Sequence, residues 1–227
     1  MEPSTILIWV ISLVVMLLSS FVQRRLTSRF EKYTAIPVQL SGAEVAQKML
    51  QEHGINDVKI VSIEGTLTDH YNPQTKTVNL SRDVYYGRNV SAAAVASHEC
   101  GHVVQHATGY APLRMRTALV PVVNFAGKTV PWVLLAGVLL VEVFPQLLWA
   151  GIALFAVTTL FSFITLPVEI NASARAVAWL EDASLVDYAT RPMAKDALKW
   201  AAYTYVIAAL GSLSTLLYYL SFAFRRN

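Results

Sequence analysis

Long, nearly uninterrupted apolar runs alternate in this chain with one extended stretch of mixed polarity. The first run, residues 6–22, is just long enough to cross a thin or locally thinned bilayer as a helix. It has no basic leader and no small-residue cleavage site, and it ends at Gln23-Arg24-Arg25. It therefore reads as a retained anchor rather than a cleaved signal peptide. Further apolar runs cover residues 130–144, stopping at Pro145, then 147–166, then 201–224. Residues 113–128 are apolar too but carry Arg114, Arg116, Pro121, Asn124 and Lys128, a mixture that suits either an interfacial helix or an extension of the second span.

Residues 30–110 follow other periods. Ser41-Gly42-Ala43-Glu44 has capping-box spacing, and Val45, Met49 and Leu50 give the helix it opens an apolar face up to Gly54. Residues 58–63 alternate as a strand, and 66–71 and 77–80 predict two more around the turn Asn72-Pro73-Gln74. A short helical piece falls near Asp83 to Gly87. A longer helix then starts from the cap candidates Asn89 and Ser91 and runs to about Ala107, with Gly109 as its stop. Leu67-Thr68-Asp69-His70-Tyr71 suits an edge strand that pairs with an extended peptide, and equally an ordinary hairpin strand. The predicted architecture is a mainly α membrane protein with about four transmembrane helices and a small α+β unit holding a short antiparallel sheet. Residues 1–29 form the anchor, 30–110 the α+β unit and 111–227 a membrane helical region.

Composition agrees with spans rather than a large soluble core. Of 227 residues, 55% are hydrophobic and 15% charged, with mean hydropathy +0.45, the balance of an integral membrane protein. One cysteine excludes an intramolecular disulfide framework, and a net charge of +3 is too small to suggest a nucleic-acid partner. Basic residues flank the apolar runs: Arg24, Arg25, Arg29 and Lys32 after the first, and Arg175, Arg191, Lys195 and Lys199 after the third. The positive-inside rule puts those flanks in the cytoplasm and the N-terminus outside. An even number of spans then leaves Arg225-Arg226 outside, against the trend.

The candidate chemistry lies in His98-Glu99-Cys100-Gly101-His102, an H-E-x-x-H pattern inside the longer helix. Positions i and i+4 lie about 6 Å apart along a helix and roughly 40° apart around it, so both imidazoles can close on one Zn²⁺. Glu99 is then placed to take the proton of a water on that ion. Such a site needs a third protein ligand. His106 continues the row, but eight residues rise about 12 Å, too far for the outer histidines to share one ion on a straight helix. Cys100 points away from His98 and reads as a small core residue. Two readings fit Glu169, which follows an apolar run: a metal ligand, since an unpaired charge there is costly, or a helix N-terminal glutamate after Pro167, favoured by the macrodipole.

The chain resembles the YugP-type membrane-bound neutral zinc metallopeptidases of bacteria. The matching blocks are Leu67-Thr68-Asp69-His70-Tyr71-Asn72-Pro73, the H-E-x-G-H box with Gln105-His106, Thr165-Leu166-Pro167-Val168-Glu169 with Asn171-Ala172-Ser173 and Arg175-Ala176, and Ala201-Ala202-Tyr203-Thr204-Tyr205-Val206. They occur in the right order over most of the chain. The resemblance implies a zincin-like, gluzincin-like unit in a multi-pass protein of the bacterial plasma membrane. It also implies zinc on His98 and His102, Glu169 as third ligand, Glu99 as base, and a peptide or protein substrate. The related E-x-x-x-D pattern puts an aspartate four residues after the ligand to brace a zinc-bound histidine. Ser173 stands there in this chain, so the brace is left to Asn171 or Ser173, and neither matches the pattern.

The activity implied is peptide-bond hydrolysis near the cytoplasmic membrane face. Tyr205, Tyr203, His70 and Arg116 are the candidate oxyanion donors, and a packing or interfacial role competes for each tyrosine. Two other functions compete with this one. An intramembrane protease would carry the box in a fully apolar helix and take an aspartate from an L-D-G motif, but this helix holds Ser97, Glu99 and Gln105, and no L-D-G occurs. A membrane adaptor with structural zinc, or none, would have no use for Glu99.

Overall fold

The computed structural model describes residues 3–226. Seven helices and three strands follow in the order α1 (Pro3–Thr34), α2 (Gly42–Glu52), β1 (Lys59–Ile63), β2 (His70–Asn72), β3 (Thr77–Ser81), α3 (Arg82–Tyr86), α4 (Val90–Ala107), α5 (Ala111–Leu139), α6 (Pro145–Asp182) and α7 (Arg191–Arg226). Four of them (α1, α5, α6 and α7) are long and apolar enough to cross a membrane. This is a mainly α membrane protein with a small sheet. Residues 113–128 are continuous with the second span in α5, despite Pro121 and Pro131 inside it.

The chain forms two compact units, each assembled from segments distant in sequence. One takes the chain through Phe21, Met115–Leu166 and the chain from Thr204 onward; the other takes Val22–Arg114 and Pro167–Tyr203. Region 111–227 is thus shared between them.

In the first unit, helices pack through small and hydroxylated residues. Ser12 and Ser214 hydroxyls meet at 3.2 Å, and those of Thr159 and Ser212 at 2.7 Å. A Cβ at Gly137 would lie 2.6 Å from Leu148 Cα, so glycine there permits close backbone approach. Such contacts drive helix association where lipid offers no hydrophobic gain.

The second unit has a conventional core. Val45, Ala46, Met49 and Leu50 of α2 pack with Val78 and Leu80 of β3, with Ala93, Ala96, Cys100 and Val103 of α4, and with Ala176 and Leu180 of α6. The capping box forms as predicted: Ser41 Oγ accepts from Glu44 N at 3.3 Å, and Glu44 Oε2 accepts from Ser41 N at 2.7 Å.

The sheet corrects the predicted antiparallel arrangement. Its order is β1-β3-β2, with β1 parallel to β3 and β2 antiparallel to it. Val78 and Leu80 are both fully buried, which suits β3 to the central position, while the more polar β2 takes an edge. The second predicted strand shrinks to His70–Asn72 because the chain before it turns instead of pairing. Gly65 has φ 104° and Leu67 φ 59°. Asp69 Oδ1 accepts from Ser81 N at 2.7 Å, so that side chain replaces a ladder bond.

Candidate metal centre

α4 is set by its N-cap, where Asn89 Oδ1 accepts from Ala92 N at 2.9 Å. One turn apart on its inner face, the His98 and His102 rings stand edge to face with centroids 4.8 Å apart. α6 passes against this face at close range. A Cβ on Gly101 would lie 2.6 Å from the Ala172 carbonyl oxygen, so the glycine of the box is what lets the two backbones approach. The approach delivers Glu169, 2% exposed. Its Oε2 lies 3.2 Å from His98 Nε2 and 3.5 Å from His102 Nε2.

The far nitrogen of each imidazole is also held. Ser173 Oγ lies 3.1 Å from His98 Nδ1, and Gln105 Oε1 lies 3.1 Å from His102 Nδ1. Gln105 Nε2 donates to Val168 O at 2.8 Å and to Asn171 Oδ1 at 3.0 Å, both acceptors, which fixes its amide so that Oε1 faces the histidine. Asn171 Oδ1 accepts in addition from Arg175 Nε at 2.8 Å. His102 Nδ1 therefore carries the hydrogen, and its Nε2 lone pair faces Glu169. With His98 donating to Ser173, a second lone pair points the same way. Two lone pairs and a carboxylate converging in a buried space need a positive charge among them. The same demand acts on His102: burial pushes its pKa down, but the hydrogen bond its protonated ring donates to the Glu169 carboxylate and the charges of Glu99 and Glu169 more than reverse that, leaving it above its ordinary value.

This donor set fits zinc. The ligand atoms of His98, His102 and Glu169 lie within 4.8 Å of one another. Two imidazoles and a carboxylate, leaving one position open, are a donor set used by catalytic zinc. Braced imidazole N–H groups are what such ligands normally have.

Glu99, 7% exposed, lies beside this cluster on α4, and its Oε2 accepts the backbone N–H of Tyr71 on edge strand β2 at 3.0 Å. The Tyr71 hydroxyl meets His106 Nδ1 at 2.8 Å, so His106 is an exposed residue bonded to the sheet. His70 is tied elsewhere, with Nδ1 2.7 Å from Thr68 O and Nε2 3.3 Å from Asn79 Nδ2. Cys100 is buried with Sγ toward Ala46 O at 3.7 Å, and burial pushes its thiol pKa far up. Tyr203 meets Trp200 edge to face with ring centroids 5.4 Å apart and lies beneath Lys199 at 5.5 Å. Tyr205, 37% exposed, and Arg116 belong to the other unit. Sequence reasoning missed Gln105 and the Tyr71 amide. An amide three residues after the second histidine of the box, close enough on the helix to reach its ring, was the available signal for the first.

Two histidines one turn apart, a glutamate between them and a second carboxylate from another helix define the site as the kind found in zinc-dependent hydrolases. The family described as "Putative neutral zinc metallopeptidase" matches residues 8–224, and the chain belongs to it. The chain is also 43% identical over 202 residues to the "Putative membrane protease YugP" of Bacillus subtilis (strain 168), covering 88% of this chain and 89% of that protein. No solved structure matches.

Proposed function

We propose that the chain is a membrane-bound zinc metallopeptidase that hydrolyses peptide bonds at the cytoplasmic face of the bacterial plasma membrane. One observation carries this reading: Glu169 Oε2 within 3.5 Å of both imidazole Nε2 atoms, with Glu99 beside them on α4. His98, His102 and Glu169 would hold the ion. When bound there, zinc would supply Lewis-acid polarisation of a carbonyl and lower the pKa of a water toward about 7.

The chain's own groups supply the rest. Glu99 takes the proton of the attacking water and passes it to the departing amine. The Tyr71 amide holds Glu99 Oε2, leaving Oε1 for that proton. Ser173 and Gln105 keep both imidazoles in the tautomer that ligates through Nε2. The Tyr71 N–H faces away from β3, and its carbonyl, facing the same way, is what edge strand β2 offers beside Glu99 to the main chain of an extended substrate. Cleavage outside the bilayer is supported by α4 not being among the four membrane-length apolar helices, and the cytoplasmic assignment by the basic flanks after the first and third spans.

The test is Glu99→Gln in the full-length protein. Peptide cleavage should fall at least about 10²-fold, the scale of a lost general base, while zinc stays near one per chain. Unchanged cleavage would remove Glu99 from the chemistry, and an adaptor would show no cleavage in either protein.

A further inference from the structure

A cavity of about 270 Å³ lies within the unit that holds the metal centre, lined among others by Leu26 and Phe30 of α1, Leu67 of the loop before β2, Val84 of α3 and Val95 of α4. An apolar hole of about 150 Å³ already accepts a benzene ring, so this space takes a long side chain. Its distance from the metal centre follows from the elements that wall it. Val95 is three residues before His98, about 4.5 Å lower on α4 and about 60° around it. Asp69, also in the wall, is two residues before Tyr71 and at most about 7 Å from it along the chain. A peptide pairing with β2 beside Glu99 therefore brings a side chain to the cavity about two residues from the bond at Glu99, because alternate residues share one face.

The charge of the lining is one-sided. Glu31, Asp69 and Asp83 contribute to it, and no lysine, arginine or histidine does. Of the cations beside lining residues in the sequence, Arg29 pairs with Asp196 at 3.3 Å, Arg82 with Glu64 at 3.5 Å and Arg88 with Glu44 at 2.9 Å, and Lys32 lies over the Tyr33 ring at 5.9 Å. Asp69 is held by Ser81, whereas Glu31 and Asp83 have no ion pair among the described residues. Apolar walls with carboxylates beside them suit a side chain with a hydrocarbon stem and a positive end. They disfavour acidic side chains and anionic lipid headgroups.

We propose that this cavity is a substrate subsite that takes a lysine or arginine about two residues from the bond cleaved. It rests on the peptidase reading above. Substrates of this kind include the basic cytoplasmic flanks of membrane proteins.

The experiment uses full-length protein in nanodiscs and fluorescein-labelled nonapeptides of alanine and glycine carrying one central arginine, leucine or glutamate. Binding is read by anisotropy on the Glu99→Gln protein, and cleavage on the wild type. The arginine peptide should bind at least about fivefold more tightly than the leucine peptide, and the glutamate peptide weakest. Glu31→Gln with Asp83→Asn should abolish that difference while leucine-peptide binding persists. Equal binding, or a preference for leucine, overturns the subsite whether or not cleavage occurs. An arginine preference that survives the double substitution overturns it as well. Arginine-selective binding without cleavage by the wild type would retain the subsite and refute the peptidase. Cleavage without charge preference would do the reverse.

Discussion

Ser173 Oγ sits 3.1 Å from His98 Nδ1, on the α6 turn that follows Glu169. One helix segment thus supplies both a carboxylate to the cluster and the brace for one of its histidines. Where the related pattern has an aspartate, this chain uses a neutral hydroxyl, which orients the ring without adding negative charge.

Ser173→Ala should remove that brace and leave His98 free to rotate. Loss of such outer partners typically lowers metal affinity 10–100-fold. Zinc competition against a chelator in the full-length protein measures it, and Ser173→Asp should restore the affinity. Equal affinities in Ser173→Ala and wild type would show that the contact does not set the ring.

Gln105→Leu should weaken zinc binding by a similar factor and also destabilise the α4–α6 contact, since Gln105 bonds His102, Val168 and Asn171 together. The buried His102 Nδ1–H, left without its acceptor, adds a cost of about 1–3 kcal/mol. Thermal unfolding of the metal-free protein separates the two effects, because only the second survives without zinc.

Gly101→Ala should be the most damaging small substitution in the box. Its methyl group would lie 2.6 Å from the Ala172 carbonyl oxygen, forcing α6 away. Overpacking of this kind costs about 1–3 kcal/mol, and here it should also draw Glu169 back from the histidines. A stable variant with full zinc content would contradict that role.

Ser41→Ala tests the fold apart from the site. Both capping-box bonds are present, and such a cap contributes about 1 kcal/mol. The unfolding midpoint should fall while zinc affinity stays unchanged.

The sequence disclosed the parts governed by local rules. The apolar runs appear as four membrane-length helices, the Ser41 box caps α2, and Asn89 caps α4. Helix periodicity alone put His98 and His102 side by side. Glu169 was harder, because whether a distant carboxylate is a ligand or a helix-terminal charge depends on how α6 packs, and no local pattern encodes that. The resemblance chose the ligand reading. The sheet was misread where a long-range side-chain bond, Asp69 to Ser81, displaced strand pairing. Gln105 was passed over because its three partners come from both helices.

Zinc stoichiometry of purified wild type beside Glu169→Ala tests the centre most directly. Elemental analysis should find about one zinc per chain in the wild type and a small fraction of that in Glu169→Ala, with helical content unchanged. Full occupancy in Glu169→Ala, or no zinc in a folded wild type, would contradict a metal centre made of His98, His102 and Glu169.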